Sequence, residues 1–421
     1  MNYFYNIYKN NKMLNELQQK AFDLLIKGKS IFMTGAGGTG KSFLIDIFRN
    51  NCRGFKRIAI TSTTGVSALL VKGTTLHSFL GIGIGKASNE ILYKKIIKNS
   101  RYKNRWIETD ILIIDEISML SAELFDKLEC LARLIRKNDK PFGGIQLVLT
   151  GDFLQLPPVK DDLFCFEAKT WDSCVDETVY FTEIIRQDDN DFKKCLNEIR
   201  MGYITEDSEN ILKTCVDKEN KDTNIIPTKI FSLNREVDLL NKYEMEKIDE
   251  DIYEYDIETE VSAYGSKSIT TILKNCNAVE NLQLCKGAQV MLLINLDLEN
   301  GLVNGSRGVI TDFIEDIPKV RFLNGQEVIV DYFEWKIEED DILLATITQI
   351  PLKVAYAISA HKAQGMTLDC AEIDLSNVFT YGQTYVALSR VRNLNGLYLK
   401  NYNKSKIKSH PKAVKFYKNL K

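Results

Sequence analysis

The residues with the plainest chemistry lie in Gly35-Ala-Gly-Gly-Thr-Gly-Lys41-Ser42. Glycine at 35, 38 and 40 lets backbone N–H groups close around phosphate oxygens, and a helix that starts beside them points its positive end at the same charge. Lys41 would neutralise the outer phosphates of a nucleoside triphosphate, and the Ser42 hydroxyl would ligate Mg2+. An apolar strand (Ser-Ile-Phe-Met-Thr) precedes the loop and a helical run (Phe-Leu-Ile-Asp-Ile-Phe) follows it, the context that a phosphate-binding loop requires. The segment predicts that Gly35, Gly38, Thr39, Gly40, Lys41 and Ser42 hold a nucleoside triphosphate.

A second constellation is Ile111-Leu-Ile-Ile-Asp115-Glu116, four apolar residues that end in two carboxylates. Asp115 would hold the metal through water, and Glu116 could take a proton from an attacking water. Adjacent acids at a strand end favour hydrolysis over phosphoryl transfer. A third strand runs into Thr150-Gly-Asp152-Phe-Leu-Gln155-Leu-Pro-Pro. Gln155 could reach the γ-phosphate or its water, and the two prolines stop a helix there and stiffen the loop.

These groups need a common edge. Strands are predicted at Ser30–Thr34, Arg57–Thr61, Ile111–Asp115 and Gln146–Thr150, each a near-continuous apolar run flanked by helical sequence. Such runs predict a parallel sheet covered on both faces, an α/β fold whose ligands sit at the carboxyl ends of the strands. Residues 285–350 read differently: glycines at 287, 301, 305, 308 and 325 separate short apolar runs, which predicts a small antiparallel β unit. Residues 243–260 hold nine carboxylates and one lysine and read as a solvated loop or helix face.

Composition sets outer limits. The 421 residues are 44% hydrophobic and 27% charged with seven prolines, which excludes a fibrous or disordered chain. Lysine and arginine total 55 against 57 acids, so this is no polybasic binder. Cations nevertheless cluster: residues 376–421 hold ten Lys/Arg and no acid, and residues 81–105 hold seven with one acid. Nine cysteines, none in a C-x-x-C pair, and three histidines argue against structural zinc and for a reducing compartment. The opening MNYFYNIYKNNK has neither the apolar core of a signal peptide nor the arginines of a transit peptide, and no apolar run reaches the ~20 residues of a membrane span. A soluble intracellular protein is expected.

Taken together, from about Leu14 to Leu399, the motifs resemble superfamily 1B DNA helicases of the PIF (petite integration frequency) type, relatives of RecD and Dda. Leu14-Asn-Glu-Leu-Gln18 resembles the adenine-reading Q motif, and Thr63-Thr64-Gly65-Val-Ser-Ala68 resembles motif Ia, with Ser67 where alanine is usual. Thr74-Thr-Leu-His77-Ser-Phe79 resembles the block after it, and Glu183-Ile-Ile-Arg186-Gln187 the family signature. Phe231-Ser-Leu-Asn234 resembles motif IV, Ser359-Ala-His361-Lys362-Ala-Gln364-Gly365-Met-Thr367 motif V, and Tyr385-Val-Ala-Leu-Ser-Arg390 motif VI.

The resemblance implies two RecA-like P-loop domains with parallel sheets and ATP between them. The first would span 1–180 and the second 181–284 with 351–421, a small β-barrel at 285–350 being inserted in the second. It implies that Gln18 and Gly365 contact nucleotide, and that Arg186 and Arg390 are arginine fingers that stabilise γ-phosphate charge. It places Thr64, Gly65, His77, Asn234, His361, Lys362 and Gln364 on the DNA side, and makes the basic insertion at 81–105 a wedge at the single-strand/double-strand junction. A histidine beside Phe79 also fits a hydrogen-bonded core residue, and a basic helix also fits a solvated face. The activity implied is ATP- and Mg2+-dependent 5′→3′ translocation and unwinding by a chain that acts on DNA as a monomer. A P-loop ATPase of another class, a loader or kinase, leaves Arg186, motif V and Arg390 without a purpose. A non-enzymatic single-strand binding module leaves Lys41 and Glu116 idle.

Overall fold

The computed structural model describes residues 14–420 except 53, 159–162, 220–224, 232–233, 263–277, 298–299, 340–341, 360–362, 364–365 and 377. The chain forms two compact units, Met1–Ile185 with His410–Lys421, and Arg186–Ser409.

The first unit is built on six strands: β1 (Ile31–Gly35), β2 (Ile58–Ser62), β3 (Thr74–Thr75), β4 (Ile111–Asp115), β5 (Gln146–Gly151) and β6 (Glu177–Phe181). Their order is β3-β2-β4-β5-β1-β6, and every pairing is parallel. The four apolar runs are the four central strands, shifted by at most a residue. The edge strands β3 and β6 are not legible as apolar runs, because one has two residues and the other is half polar.

Alternation along β1 explains how both faces are covered. Ile31 and Met33 face a core completed by Ala21 and Leu25 of the helix Glu16–Ile26 and by Leu44, Ile45 and Phe48 of the helix Lys41–Cys52. Phe32 faces the other way, into an aromatic cluster: its ring lies 5.1 Å from Phe153 and 5.5 Å from Trp171. The helix Pro411–Asn419 covers this cluster, with Phe416 stacked at 4.4 Å on Phe166 and edge-on at 5.5 Å to Phe153.

That helix corrects one expectation. The resemblance puts residues 410–421 in the second domain, and they belong with the first unit. Burial of Tyr417 and the stacking of Phe416 on Phe166 decide the matter, whereas the basic character of the segment does not. Several cations of 376–421 are engaged within their own units. Arg392 pairs with Asp188, Lys400 with Asp217, Lys404 with Glu209 and Lys412 with Glu167, while Arg390 is buried.

From residue 89 on, the 81–105 segment lies in two short helices, Asn89–Lys98 and Ser100–Glu108, joined at Asn99, whose side chain accepts from the Tyr102 N–H. Leu92, Ile96 and Trp106 are buried, and the Trp106 indole donates to the Leu80 carbonyl at 3.1 Å. Tyr102 packs against Gly81, where a Cβ would meet its ring at 2.4 Å, so this tyrosine serves the hairpin's own structure. Lys94, Lys95 and Lys98 are exposed.

The second unit holds a parallel sheet in the order Ala357–Ser359, Thr228–Phe231, Ala371–Asp374, Leu397–Lys400. Helices Asn190–Arg200 and Gln383–Leu388 contribute Phe192, Leu196, Ile199, Tyr385 and Leu388 to its core. The described residues between 253 and 354 form antiparallel strands and their connections. Their largest sheet runs Glu327–Ile329, Ile317–Phe322, Arg307–Ile314, Gln289–Leu292, Leu352–Val354.

This β unit starts about thirty residues before the expected 285, because Tyr253–Asp256 pairs with Asn281–Leu284 and Glu258–Val261 with Ile342–Gln349. The acidic stretch expected to be loop or helix face is therefore partly strand. Tyr253 and Tyr255 alternate with carboxylates that face solvent, a period-2 pattern that the charge count obscures. Arg307 joins the two parts of this unit: its buried guanidinium donates to the Ile226 carbonyl at 2.6 Å, just ahead of the strand Thr228–Phe231.

Candidate nucleotide site and nucleic-acid face

Parallel pairing fixes what meets at the carboxyl edge of the first sheet. Register places Thr34 opposite Gly151, Gly35 opposite Phe181 and Ser62 opposite Asp115. The phosphate loop, the two acids and the Gly151–Gln155 turn therefore emerge side by side, as the spacing of the motifs required.

The loop leaves β1 at Gly35, φ +148°, where a Cβ would strike the Phe181 carbonyl at 2.4 Å. It closes at Gly40, φ +83°, where a Cβ would strike the Gln18 amide nitrogen at 2.5 Å. Backbone conformation disfavours a side chain at both positions, and at Gly35 the neighbouring backbone carbonyl also blocks one. Within the loop, Thr39 Oγ1 donates to Ala36 O at 3.0 Å, and Lys41 Nζ reaches the carbonyls of Gly35 at 2.9 Å and Ala36 at 3.0 Å. Ser42 is exposed in the first turn of the following helix.

Gln18 is oriented by two bonds. Its Oε1 accepts from Asn15 N–H at 3.1 Å in a capping box, and its Nε2 donates to Thr39 O at 3.2 Å. An amide has two donor and two acceptor positions, and these bonds use one of each. The sequence motif thus fastens the loop as well as presenting an amide edge.

Asp115 is buried, and Thr150 donates to its Oδ1 at 2.7 Å from the neighbouring strand. Burial pushes its carboxyl up, while the Thr150 hydroxyl, the Glu116 N–H and the charge of Lys41 pull it back. Glu116 sits in the left-handed region, φ 53° and ψ 44°, costly for a residue with a Cβ. That turn re-aims the carboxylate away from the line of β4. Gln155 is buried, and its N–H closes a tight turn on Asp152 O at 2.9 Å.

The motif Ia segment is hydrogen-bonded to the strand that carries the acids. Thr63 Oγ1 donates to Glu116 O at 2.9 Å and Ser62 Oγ to Asp115 O at 3.1 Å. The buried Ser67 hydroxyl bonds Ser62 Oγ at 2.6 Å and also meets the Thr64 hydroxyl. Serine at this position therefore has polar partners that alanine would lack. Gly65 opens the helix Gly65–Leu70 directly after Thr64. His77 lies half-buried in the short helix Leu76–Leu80, and burial lowers its pKa, which favours the neutral ring.

In the second unit, two arginines about two hundred residues apart converge on Ser389. Arg186 Nη1 donates to its carbonyl at 3.3 Å, and Arg390 Nη2 to its hydroxyl at 2.8 Å. Arg390 is buried, with Nε on the Val386 carbonyl at 2.9 Å, and Gln187 Nε2 holds the carbonyls of Ser389 and Val391, each at 3.1 Å. The signature includes Gln187 without assigning it a role, and these bonds give it one. Asn234 opens the helix Asn234–Glu246. His361, Lys362, Gln364 and Gly365 lie outside the described residues.

The donor set fits magnesium rather than zinc. A carboxylate and a hydroxyl beside a phosphate cradle are hard oxygen ligands, and Mg2+ is held by few protein groups together with phosphates. No cluster of three or more His, Cys, Asp or Glu exists among the described residues. No helix among them is long and apolar enough to cross a membrane.

A parallel sheet with a phosphate loop and paired acids at its carboxyl edge defines the P-loop class, and comparison with known proteins gives the family. Residues 13–210 match the PIF1-like helicase family, and residues 269–313 match the 2B domain of the DNA helicase Pif1. The chain is 40% identical over 412 residues to the ATP-dependent DNA helicase PIF1 of Xenopus laevis, covering 96% of this chain and 64% of that protein. It is 36% identical to the Pif1 helicase of Candida albicans, whose crystal structure superposes with a TM-score of 0.76, covering 98% of this chain and 100% of that one. A Bacteroides Pif1 helicase in complex with ADP-AlF3 and single-stranded DNA is 28% identical, covers 97% of both chains and has a TM-score of 0.66. The chain belongs to the PIF1-like helicase family. It spans about 64% of the length of the Xenopus relative.

Proposed function

We propose that this chain is an ATP-dependent DNA helicase that moves 5′→3′ along single-stranded DNA as a monomer and separates duplex at the junction. The observation that carries the reading is the hydrogen bonding of Ser62 and Thr63, at the head of the DNA-side segment, to the carbonyls of Asp115 and Glu116. A strand pulled through Thr64 and Gly65 moves the same backbone that aims the two acids, so nucleotide turnover and strand position are mechanically linked.

In this reading the loop 35–40 and Lys41 bind the phosphates, Ser42 and Asp115 hold Mg2+, and Gln18 offers the remaining positions of its amide to adenine. Bound Mg2+ supplies charge neutralisation at the outer phosphates. Glu116 takes the proton of the attacking water, and its left-handed backbone points the carboxylate out of the strand toward that water. Gln155 orients the water. Arg186 and Arg390, gathered on Ser389, stabilise charge on the transferred phosphoryl group, and Gly365 belongs to the same nucleotide shell. Thr64, Gly65, His77, Asn234, His361, Lys362 and Gln364 line the strand. Burial lowers the His77 pKa, which favours a hydrogen bond or ring stacking over a phosphate ion pair.

Support for the reading comes from family membership, from the convergence of the three motifs on one sheet edge, and from the ligands of the Bacteroides relative. The test is ATP turnover with and without single-stranded DNA, together with unwinding of duplexes tailed at the 5′ or the 3′ end. Turnover stimulated by DNA and unwinding restricted to 5′ tails are expected. DNA-independent turnover would assign the chain to another P-loop ATPase class, and DNA binding without turnover would make it a binding module.

A further inference from the structure

The geometry points to Tyr417 as a positioning residue for ATP hydrolysis: its hydroxyl closes a buried hydrogen-bond chain between the strand end that enters the phosphate loop and the Asp152–Gln155 turn. The inference deepens the helicase reading above and rests on it for the role of Gln155.

The direction of each bond is fixed by chemistry. Thr34 Oγ1 lies 2.9 Å from the Gly151 carbonyl, which can only accept, so the threonine donates there. Its other bond, to the Tyr417 hydroxyl, must then be received from the tyrosine. The tyrosine oxygen in turn accepts the Phe153 N–H at 3.1 Å. The chain therefore runs from Phe153 N–H to the Tyr417 hydroxyl, to the Thr34 hydroxyl, to Gly151 O. Thr34 and Phe153 are fully buried and Tyr417 is 1% exposed. Water does not compete at these groups, and bonds in series strengthen one another in such a setting.

Both ends of the chain adjoin groups that face the phosphates. Thr34 is the residue before Gly35, where the Phe181 carbonyl leaves the backbone no lateral freedom. Phe153 follows Asp152, whose Oδ1 accepts the Leu154 N–H at 3.1 Å and whose carbonyl accepts the Gln155 N–H at 2.9 Å. A shift of the Phe153 N–H therefore turns the whole Asp152–Gln155 segment relative to the loop that holds the phosphates. No other described group bonds this N–H. Aromatic packing of Phe416 on Phe166 and Phe153 fixes the height of the C-terminal helix, so the hydroxyl arrives at a set position.

Tyr417→Phe removes the hydroxyl and keeps the ring. Thr34→Val breaks the same chain from the other side with a side chain of equal shape, and guards against a folding defect peculiar to either variant. Each should lower DNA-stimulated kcat on the order of tenfold, since sub-ångström to 1 Å misplacement near a reacting group costs up to about a hundredfold. KM for ATP and nucleotide-free affinity for single-stranded DNA should stay within about twofold. In a Gln155→Ala background, Tyr417→Phe should cost less than about twofold, because residues that act through one group are not additive. Amide exchange in peptides covering 150–156 should quicken in both variants without nucleotide, while exchange in the helix 190–200 of the other unit stays unchanged.

Unaltered kcat in both variants, or a loss that multiplies in full with Gln155→Ala, overturns the positioning role. Unaltered exchange at 150–156 overturns the brace itself. A wild-type chain without ATP turnover refutes the helicase reading instead, and the exchange result still decides whether Tyr417 holds the two strand ends.

Discussion

Thr150→Val tests the acid that should hold the metal. Thr150 is fully buried and Asp115 is 8% exposed, so the 2.7 Å bond between them is a charge-assisted hydrogen bond shielded from water. Such a bond contributes about 1.5–3 kcal/mol. At about 1.4 kcal/mol per factor of ten, that corresponds to roughly 10–150-fold in an equilibrium that needs the carboxylate ionised and aimed. A second route gives a similar figure: partners that orient a metal-binding group typically contribute about 10–100-fold in affinity. Valine has threonine's shape, so β5 and its neighbours stay in place and the loss is confined to the hydroxyl. The assay is DNA-stimulated ATP turnover at fixed ATP with free Mg2+ varied over three decades. Half-saturating Mg2+ should rise at least tenfold, with turnover at saturation within about threefold of wild type. An unchanged Mg2+ requirement, or a kcat loss that high Mg2+ cannot restore, would refute the assignment of Asp115 as the metal-holding acid.

Glu116→Gln should retain ATP binding and lose turnover by two or more orders of magnitude, since an amide cannot take the proton; Lys41→Ala should lose binding and turnover together. Near-normal turnover in Glu116→Gln would put the base elsewhere. Arg390→Ala should reduce turnover on the order of 10³-fold with little change in nucleotide-free DNA affinity; a tenfold loss of DNA affinity with turnover intact would remove it from the nucleotide site. Neutralising Lys94, Lys95 and Lys98 together should impair strand separation more than DNA-stimulated turnover, and should flatten the salt dependence of junction binding by nearly one unit of slope for each phosphate that no longer meets a lysine. Equal loss of unwinding and translocation would identify the hairpin as a solvated face. Glu198 is pushed up by burial but pulled lower overall by the Thr205 N–H at 2.8 Å and by the hydroxyls of Thr205 and Ser208. Its folded pKa thus lies below the unfolded one, so its contribution is full above about pH 5 and fades as pH falls through the folded value. Glu198→Gln should lower Tm at pH 7 by a few degrees, and the gap should narrow as the melts are repeated at progressively lower pH.

Much of the nucleotide site is legible in the sequence because each position answers a separate chemical demand. Glycine at 35 meets a steric limit set by the Phe181 carbonyl and glycine at 40 a positive φ that side chains rarely adopt, and Asp115 and Glu116 end a strand whose four apolar residues announce it. Parallel register then does the rest, since strands read singly must still line up at their carboxyl ends. What escapes the sequence are bonds between residues far apart. Nothing in the spacing of Thr34 and Tyr417 links them, and the charge of the C-terminal segment points toward a phosphate surface rather than toward burial. The adjacent aromatics Phe416 and Tyr417 within that basic run are the available signal. The acidic strands at 253–261 escape for a related reason: composition outweighs a period-2 pattern carried by two tyrosines. The importance of Gln18 is legible but its role is only half so, because its hold on the Thr39 carbonyl depends on the capping box that turns its amide.

The return of the helix Pro411–Asn419 to the first unit bears on biosynthesis. The aromatic layer beneath β1 and β5 has Phe32, Phe153 and Trp171 in place early, yet it waits for Phe416 to cover it. At roughly 5–20 residues per second, ribosomes take about 10–45 s to pass from residue 185 to residue 410. For that interval the nascent nucleotide-binding half exposes aromatic surface, and it cannot finish folding in the order in which it is made. Chaperone dependence should therefore be concentrated in this window, and stop codons placed just upstream of 411 should yield aggregation-prone chains although every phosphate-loop residue is present.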